Sequence, residues 1–204
     1  MTDFKSNFWD ERYSSNEYVY GKEPNQFLKE QLRNIIPTGK LLLPGEGEGR
    51  NAVYAAKFGW KVDAFDQSSV AKIKALKLAE ENNVTIKYST VDLAKFTPQE
   101  NFYNCAAIIF VHIAPDFRSE FHKIIIDSLK PGGKIILELF SKNQFGKSSG
   151  GPQDLEMLYS FDEIKNDFKE MRTILLKEES IFLVEGEKHK GEASVIRFVG
   201  EKVE

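Results

Sequence analysis

Residues 41–51 read LLLPGEGEGRN. An apolar run meets Pro44, and glycines 45, 47 and 49 then alternate with Glu46 and Glu48. The apolar run predicts a buried strand, and RNAVYAAKFG (50–59) predicts a helix ending at Gly59. A glycine-rich turn between a strand and a helix is where open α/β sheets receive nucleotides, because glycine lets backbone approach a ligand without Cβ interference. The same spacing also suits a tight turn that holds nothing. The two glutamates separate the ligand classes. A pyrophosphate wants bare N–H groups and no neighbouring carboxylate, so an acidic loop argues against a dinucleotide.

Downstream the same alternation continues. WKVDAFD (60–66), TIKYSTVD (85–92), NCAAIIFVHI (104–113) and KIILELFS (134–141) have strand patterning. SSVAKIKALKLAEENN (68–83) predicts an amphipathic helix capped by Ser68 or Ser69, and FRSEFHKIIIDSLKPGG (117–133) a helix stopped by Pro131 and the glycines. Short apolar strands alternating with helices predict a parallel sheet covered on both faces. After a polar loop, KNQFGKSSGGPQD (142–154), a helix is expected at SFDEIKNDF (160–168). Two strand patterns around a turn at EGEKHKGEA (185–193) predict a C-terminal antiparallel hairpin. Upstream, NQFLKEQLRNII (25–36) has helical spacing between Pro24 and Pro37. Phe4, Phe8, Trp9, Tyr13, Tyr18 and Tyr20 make residues 3–20 far richer in aromatics than the chain's 12%. That segment suits a lid over a site, or a helix packed on the core.

The 204 residues fit one domain, with an N-terminal helical cap over 1–38, a core over 39–141 and a loop, helix and hairpin over 142–204. A net charge of -3 gives no basic field for nucleic acid or an anionic membrane. One cysteine, Cys105, excludes an internal disulfide, and three scattered histidines give no metal motif. No apolar run is long enough to span a membrane, and the N-terminus lacks signal-peptide patterning. The expectation is a cytoplasmic protein whose partner is a small molecule, with oligomeric state open between monomer and homodimer.

Candidate site residues follow the expected carboxyl ends of the strands, where open α/β sheets bind ligands. Asp66 lies 21 residues after Gly45, the distance at which an acid accepts ribose hydroxyls, and it also suits the N-terminus of the following helix. Asp92 is placed to accept an adenine amino group, or is an ordinary loop aspartate. His112 is a candidate base or substrate contact, or a histidine satisfied by local backbone. S-adenosylmethionine carries a sulfonium, an ammonium and no phosphate, so an acidic glycine loop is compatible with it.

The succession GEGEGRNAVYAAKFG, VDAFDQS, TVDL and LKPGGKIILELF resembles the class I S-adenosylmethionine-dependent methyltransferases over nearly the whole chain. WDERY, YVYGKEPNQFL, GGPQDLEMLYS and EGEKHKGEASVIRF resemble the small-molecule branch holding the tellurite-resistance and thiopurine methyltransferases. The resemblance implies a Rossmann-like, doubly wound, mostly parallel seven-stranded sheet with the antiparallel hairpin. It implies that Gly45, Glu46 and Gly47 contact the methionine part of the cofactor. Asp66 and Gln67 would hold the ribose, Asp92 and Leu93 would flank the adenine, Phe110 would face the cofactor, and Arg12 would reach its carboxylate. His189 and Arg197 match a histidine and an arginine of the family's C-terminal hairpin, and with His112 they are the catalytic, substrate-side candidates. The chain departs from the pattern at Leu43, where many members place an acid. The implied reaction is in-line methyl transfer to a small molecule such as a thiol or a selenium or tellurium oxyanion. The competing readings are an NAD(P)-dependent oxidoreductase and a non-catalytic S-adenosylmethionine-binding regulator.

Overall fold

The computed structural model describes residues 3–203, with side chains from Phe8 onward. Phe4, counted above among the N-terminal aromatics, therefore has its side chain outside the described residues. Strand order in the single seven-stranded sheet is β3-β2-β1-β4-β5-β7-β6, which is the expected architecture. The strands are β1 (Lys40–Pro44), β2 (Lys61–Asp66), β3 (Lys87–Thr90), β4 (Tyr103–Ile109), β5 (Leu129–Phe140), β6 (Met171–Glu185) and β7 (His189–Lys202). The helices are α1 (Asp3–Arg12), α2 (Gln26–Arg33), α3 (Arg50–Lys57), α4 (Ser69–Glu81), α5 (Pro115–Ser128) and α6 (Phe161–Asp167). Among the described residues no helix is long and apolar enough to cross a membrane.

The chain divides into two compact units, residues 1–96 with 185–188, and residues 97–184 with 189–204. In the first, β1 pairs parallel with β2 from Lys40↔Lys61 to Pro44↔Phe65, and β2 pairs parallel with β3. Leu41, Leu42 and Leu43 are buried in succession, as a strand covered on both faces requires. Ser68 caps α4, its side chain accepting from the Ala71 N–H at 3.0 Å. Asn25, outside the expected Pro24 boundary signal, caps α2 by accepting from the Leu28 N–H.

In the second unit β4 pairs parallel with β5, and β5 pairs antiparallel with β7 from Lys134↔Glu201 to Phe140↔Val195. Ser160 and Glu163 form a reciprocal capping box at α6. Three boundaries differ from expectation. β4 stops at Ile109 because Phe110 adopts φ 54, which turns the chain out of the ladder. α5 stops at Ser128 rather than at the glycines, since the residue before Pro131 is barred from the helical region and Leu129 is already extended. The hairpin turn is only Gly186–Lys188, so His189 begins β7 instead of sitting in a polar turn.

Gly49 shows how tightly the loop is packed. It adopts φ 88, and a Cβ there would lie 2.6 Å from Ala75 Cβ and 2.8 Å from Ala75 Cα on α4. Gly49→Ala adds backbone strain to an overpacked contact. We expect a loss of about 2–4 kcal/mol in stability, read as a lower denaturant midpoint at unchanged m-value.

Candidate functional site

The candidate residues fall in both units, and each unit has its own chemistry. In the first, Gly45 and Gly47 carry φ 60 and 64, conformations that favour glycine. Glu46 is buried, and Oε1 accepts from the Ala52 N–H at 2.7 Å. Ala52 lies in the first turn of α3, whose N-cap, Gly49, offers no side-chain acceptor. Glu46 therefore occupies from within the helix N-terminus that a pyrophosphate would use. Burial pushes its carboxyl up to about 7, against the opposing pull of the Ala52 hydrogen bond and the Arg50 charge.

Asp66, at the end of β2, performs the same task on the loop. Its Oδ2 accepts from the Gly47 N–H at 3.0 Å and its Oδ1 from the Ser68 N–H at 2.9 Å. Desolvation nevertheless raises its pKa. Tyr88 donates to the Gly47 carbonyl at 2.6 Å, and a Cβ on Gly47 would lie 2.9 Å from the Tyr13 hydroxyl. Burial and the Asp66 charge hold the Tyr13 and Tyr88 hydroxyls well above the usual phenol range, so both stay neutral. Gln67 and Leu93 are partly exposed, and Asp92, also partly exposed, accepts from the Ala94 N–H at 2.9 Å. Arg12 sits with its guanidinium 5.3 Å from the Phe8 ring centroid.

Glu48 does something different from Glu46. It accepts from the Val19 N–H at 2.7 Å and pairs with Lys74. Lys74 also donates to the carbonyls of Ser15 at 2.9 Å and Glu17 at 2.7 Å. Arg50 donates to Glu185 at 2.8 Å, and Asn51 accepts from the Asn25 N–H at 2.9 Å. The segment over residues 13–25 is thus strapped down by side chains of the glycine loop, α3 and α4. Tyr13 stood out only as one of the N-terminal aromatics, and Tyr88 and Lys74 carried no sequence signal, because their partners are distant in the chain.

In the second unit, Phe110 keeps its positive φ while its N–H donates to the Glu138 carbonyl at 2.8 Å. Its ring stacks on Phe140 at 4.5 Å and meets the His189 ring edge-on at 4.7 Å. His112 stacks on Phe140 at 5.6 Å. The structure so brings Phe110, His112 and His189 around one buried ring. His112 Nδ1 lies 2.9 Å from the Met157 carbonyl. A carbonyl only accepts, so Nδ1 is the protonated nitrogen and Nε2 bears the lone pair. Desolvation drives this histidine down to about 4, which keeps it neutral at neutral pH. Arg197 lies apart from that cluster in its bonding: Nε donates to Glu138 at 2.5 Å and Nη1 to Glu179 at 2.6 Å. Two carboxylates thus meet the charge expected to face a substrate. His122, given no role from sequence, is fully buried and bound to Asp167 at 2.7 Å, a brace between α5 and α6.

Comparison with known proteins supplies the context. The family model described as tellurite resistance protein TehB matches residues 7–199. No curated protein matches the chain in sequence. Among solved structures, TehB from Haemophilus influenzae superposes with a TM-score of 0.74 at 17% identity, over 97% of this chain and 67% of that one. A protein described for conversion of a disulfide bond into a thioacetal group during echinomycin biosynthesis gives 0.80 at 12% identity, over 97% and 91%. A SAM-dependent methyltransferase from Aquifex aeolicus gives 0.64 at 17% identity, over 86% and 89%.

Removing Lys74 tests the strap. Lys74→Ala leaves Glu48 buried without its cation, which costs about 3–5 kcal/mol. Limited proteolysis and amide exchange should show residues 13–19 loosening well before the rest of the chain. Unchanged protection there would refute the assignment.

Proposed function

For a chain that belongs to the tellurite resistance protein TehB family, and whose fold is that of S-adenosylmethionine-dependent methyltransferases, we propose methyl transfer to a small-molecule acceptor, a thiol or a selenium or tellurium oxyanion. The observation that carries the reading is the pair of carboxylates turned onto backbone N–H groups, Glu46 on Ala52 and Asp66 on Gly47. The groups a phosphate needs are already satisfied by negative charge, which disfavours NAD(P). A sulfonium cofactor with an ammonium and ribose hydroxyls finds acceptors there instead.

The residues fit that cofactor by chemistry. Glu46 is the acceptor for its ammonium, taking the part that Leu43 leaves open. Asp66 and Gln67 take the ribose, and Asp92 and Leu93 flank the adenine. Arg12 meets the carboxylate. The cofactor supplies an electrophilic methyl group, and the chain's own work is to position reactants and exclude water. When an anionic nucleophile meets a sulfonium, charge is lost in the transition state, so a dry site helps. The strapped N-terminal segment, with Tyr13 on Gly47, suits that role.

Glu46 makes the reading testable through pH. Its folded carboxyl titrates near 7, above the ordinary 4.5. In the cofactor-free chain it therefore contributes stability in full below about 4.5, and loses it as pH rises through 7. A bound ammonium reverses the preference by favouring the carboxylate. S-adenosylmethionine affinity should thus rise from pH 6 to pH 8 with release of a proton. Glu46→Gln should weaken binding by about 10- to 100-fold at pH 8, flatten that pH dependence, and remove the stability lost on ionisation. Calorimetric titration with S-adenosylmethionine and with NAD checks it. Preferential NAD binding, or wild-type pH dependence in Glu46→Gln, would refute the assignment.

A further inference from the structure

Two buried polar atoms at the carboxyl ends of adjacent parallel strands have no hydrogen-bond partner among the described residues: His112 Nε2, beyond β4, and Ser141 Oγ, beyond β5. The β4–β5 ladder ends at Ile109↔Glu138, and each orphan lies three residues past that pair. Both residues touch Tyr159: Ser141 bridges to it, and its ring lies 5.6 Å from His112. Buried polar groups in native proteins are otherwise satisfied, so two orphans at the edge where α/β sheets bind ligands point to a ligand's own polar group. His122 Nε2 is also unpartnered, but it lies mid-helix on α5, wedged 4.9 Å from the Phe168 ring and away from that edge.

The chemistry of the two atoms narrows the ligand. With Nδ1–H committed to Met157, Nε2 offers only a lone pair, and Ser141 offers a hydroxyl. The nearby guanidiniums are matched: Arg118 donates to Glu163 at 2.8 Å and to the Glu156 carbonyl at 2.7 Å, and Arg197 to Glu138 and Glu179. The walls are aromatic, from Phe110, Phe140 and the ring of His189. A lone pair in such surroundings repels an anion and pairs with a hydrogen. Resting on the methyltransferase reading above, we infer that His112 and Ser141 form the acceptor subsite for an un-ionised thiol or hydroxyl, whose proton His112 Nε2 accepts as the methyl group arrives.

The step balances. A lone pair of the thiol sulfur or hydroxyl oxygen forms the bond to the methyl carbon, and the broken carbon–sulfur pair stays on the sulfur of the sulfonium donor. The hydrogen that the nucleophile carried passes to Nε2, and from the imidazolium to solvent. A weakly basic imidazole suffices, because an attacked thiol or hydroxyl becomes a far stronger acid than imidazolium. An amine does not. Selenite and tellurite carry no hydrogen on the nucleophilic atom and give Nε2 nothing to take.

The test uses the full chain and labelled S-adenosylmethionine, with 2-mercaptoethanol, a phenol, a primary amine, selenite and tellurite as acceptors. Transfer to the thiol or the phenol is expected. His112→Ala should lower kcat by about 100-fold or more with cofactor affinity unchanged. His112→Gln, which keeps the shape and a hydrogen-bonding end, should recover KM but not kcat. Ser141→Ala should raise KM several-fold with little change in kcat. Nitrogen NMR of the cofactor-free chain should show the Nδ1–H tautomer at His112. Transfer only to the amine or the oxyanions, transfer to none of the five, full kcat in both His112 variants, or an Nε2–H tautomer overturns the inference. Failure of the wild-type chain to bind S-adenosylmethionine in calorimetry would instead overturn the methyltransferase reading itself.

Discussion

A carboxylate on a helix N-terminus governs the first unit. Glu46 satisfies the Ala52 N–H of α3, and Asp66 does the same for the Gly47 N–H. In a phosphate-binding loop those groups face outward to an anion. Supplying the negative charge internally lets the loop close on protein, and glycine is then required for a second reason. Tyr13 packs against Gly47 where a Cβ would collide, and Tyr88 donates to the Gly47 carbonyl. Burial follows, and with it the raised pKa of Glu46. The fold thus holds an acid that is half neutral at neutral pH and ready to be ionised by a cation.

The stretch from Glu46 to Asn51 divides its labour residue by residue. Glu46 caps, Glu48 and Lys74 strap down residues 15–19, Arg50 reaches the hairpin turn at Glu185, and Asn51 holds Asn25. Three side chains within six consecutive residues, Glu48, Arg50 and Asn51, therefore tie the N-terminal segment and the tip of the hairpin to one loop. Gly186 confirms how close the tip lies, since a Cβ there would fall 2.4 Å from the Val19 carbonyl. Exposed ion pairs contribute little, but Glu48 and Arg50 are buried, and their pairing keeps uncompensated charge out of the interior.

Much of this was legible in the sequence where the signal is local. Apolar runs marked β1, β2 and β5, and the Ser68 cap marked α4. Proline and glycine placed the turns. The glycine-acid alternation is itself suited to a cation. What escaped was set by contacts distant in sequence. Nothing in EGEG distinguishes Glu46 from Glu48, since one turns to α3 and the other to Val19 and Lys74. Strand patterning carried β4 through His112, yet Phe110 leaves the ladder by a backbone rotation that periodicity does not encode. EKHKGE read as a polar turn, but β7 pairs from its first residues and buries His189. Ser141 stayed invisible because a lone serine after a strand has no pattern.

The second unit then opposes the electrostatic expectation drawn from its residue types. A histidine and an arginine suggest a field that draws an anion. Arg197 is neutralised by Glu138 and Glu179, and burial lowers His112 to about 4. Neutral His112 contributes stability in full above its unfolded pKa of 6.5 and loses it as pH falls toward 4, the opposite sense to Glu46. Between pH 4.5 and 6.5 the two groups pull stability in opposite directions. In each unit burial favours the neutral form of a titratable group, Glu46 in the first and His112 in the second. The same desolvation serves different ends: a buried acid gains from a cationic ligand that restores its charge, and a buried imidazole keeps a lone pair that charge would remove. Residue type alone carries neither consequence; burial and the fixed tautomer supply them.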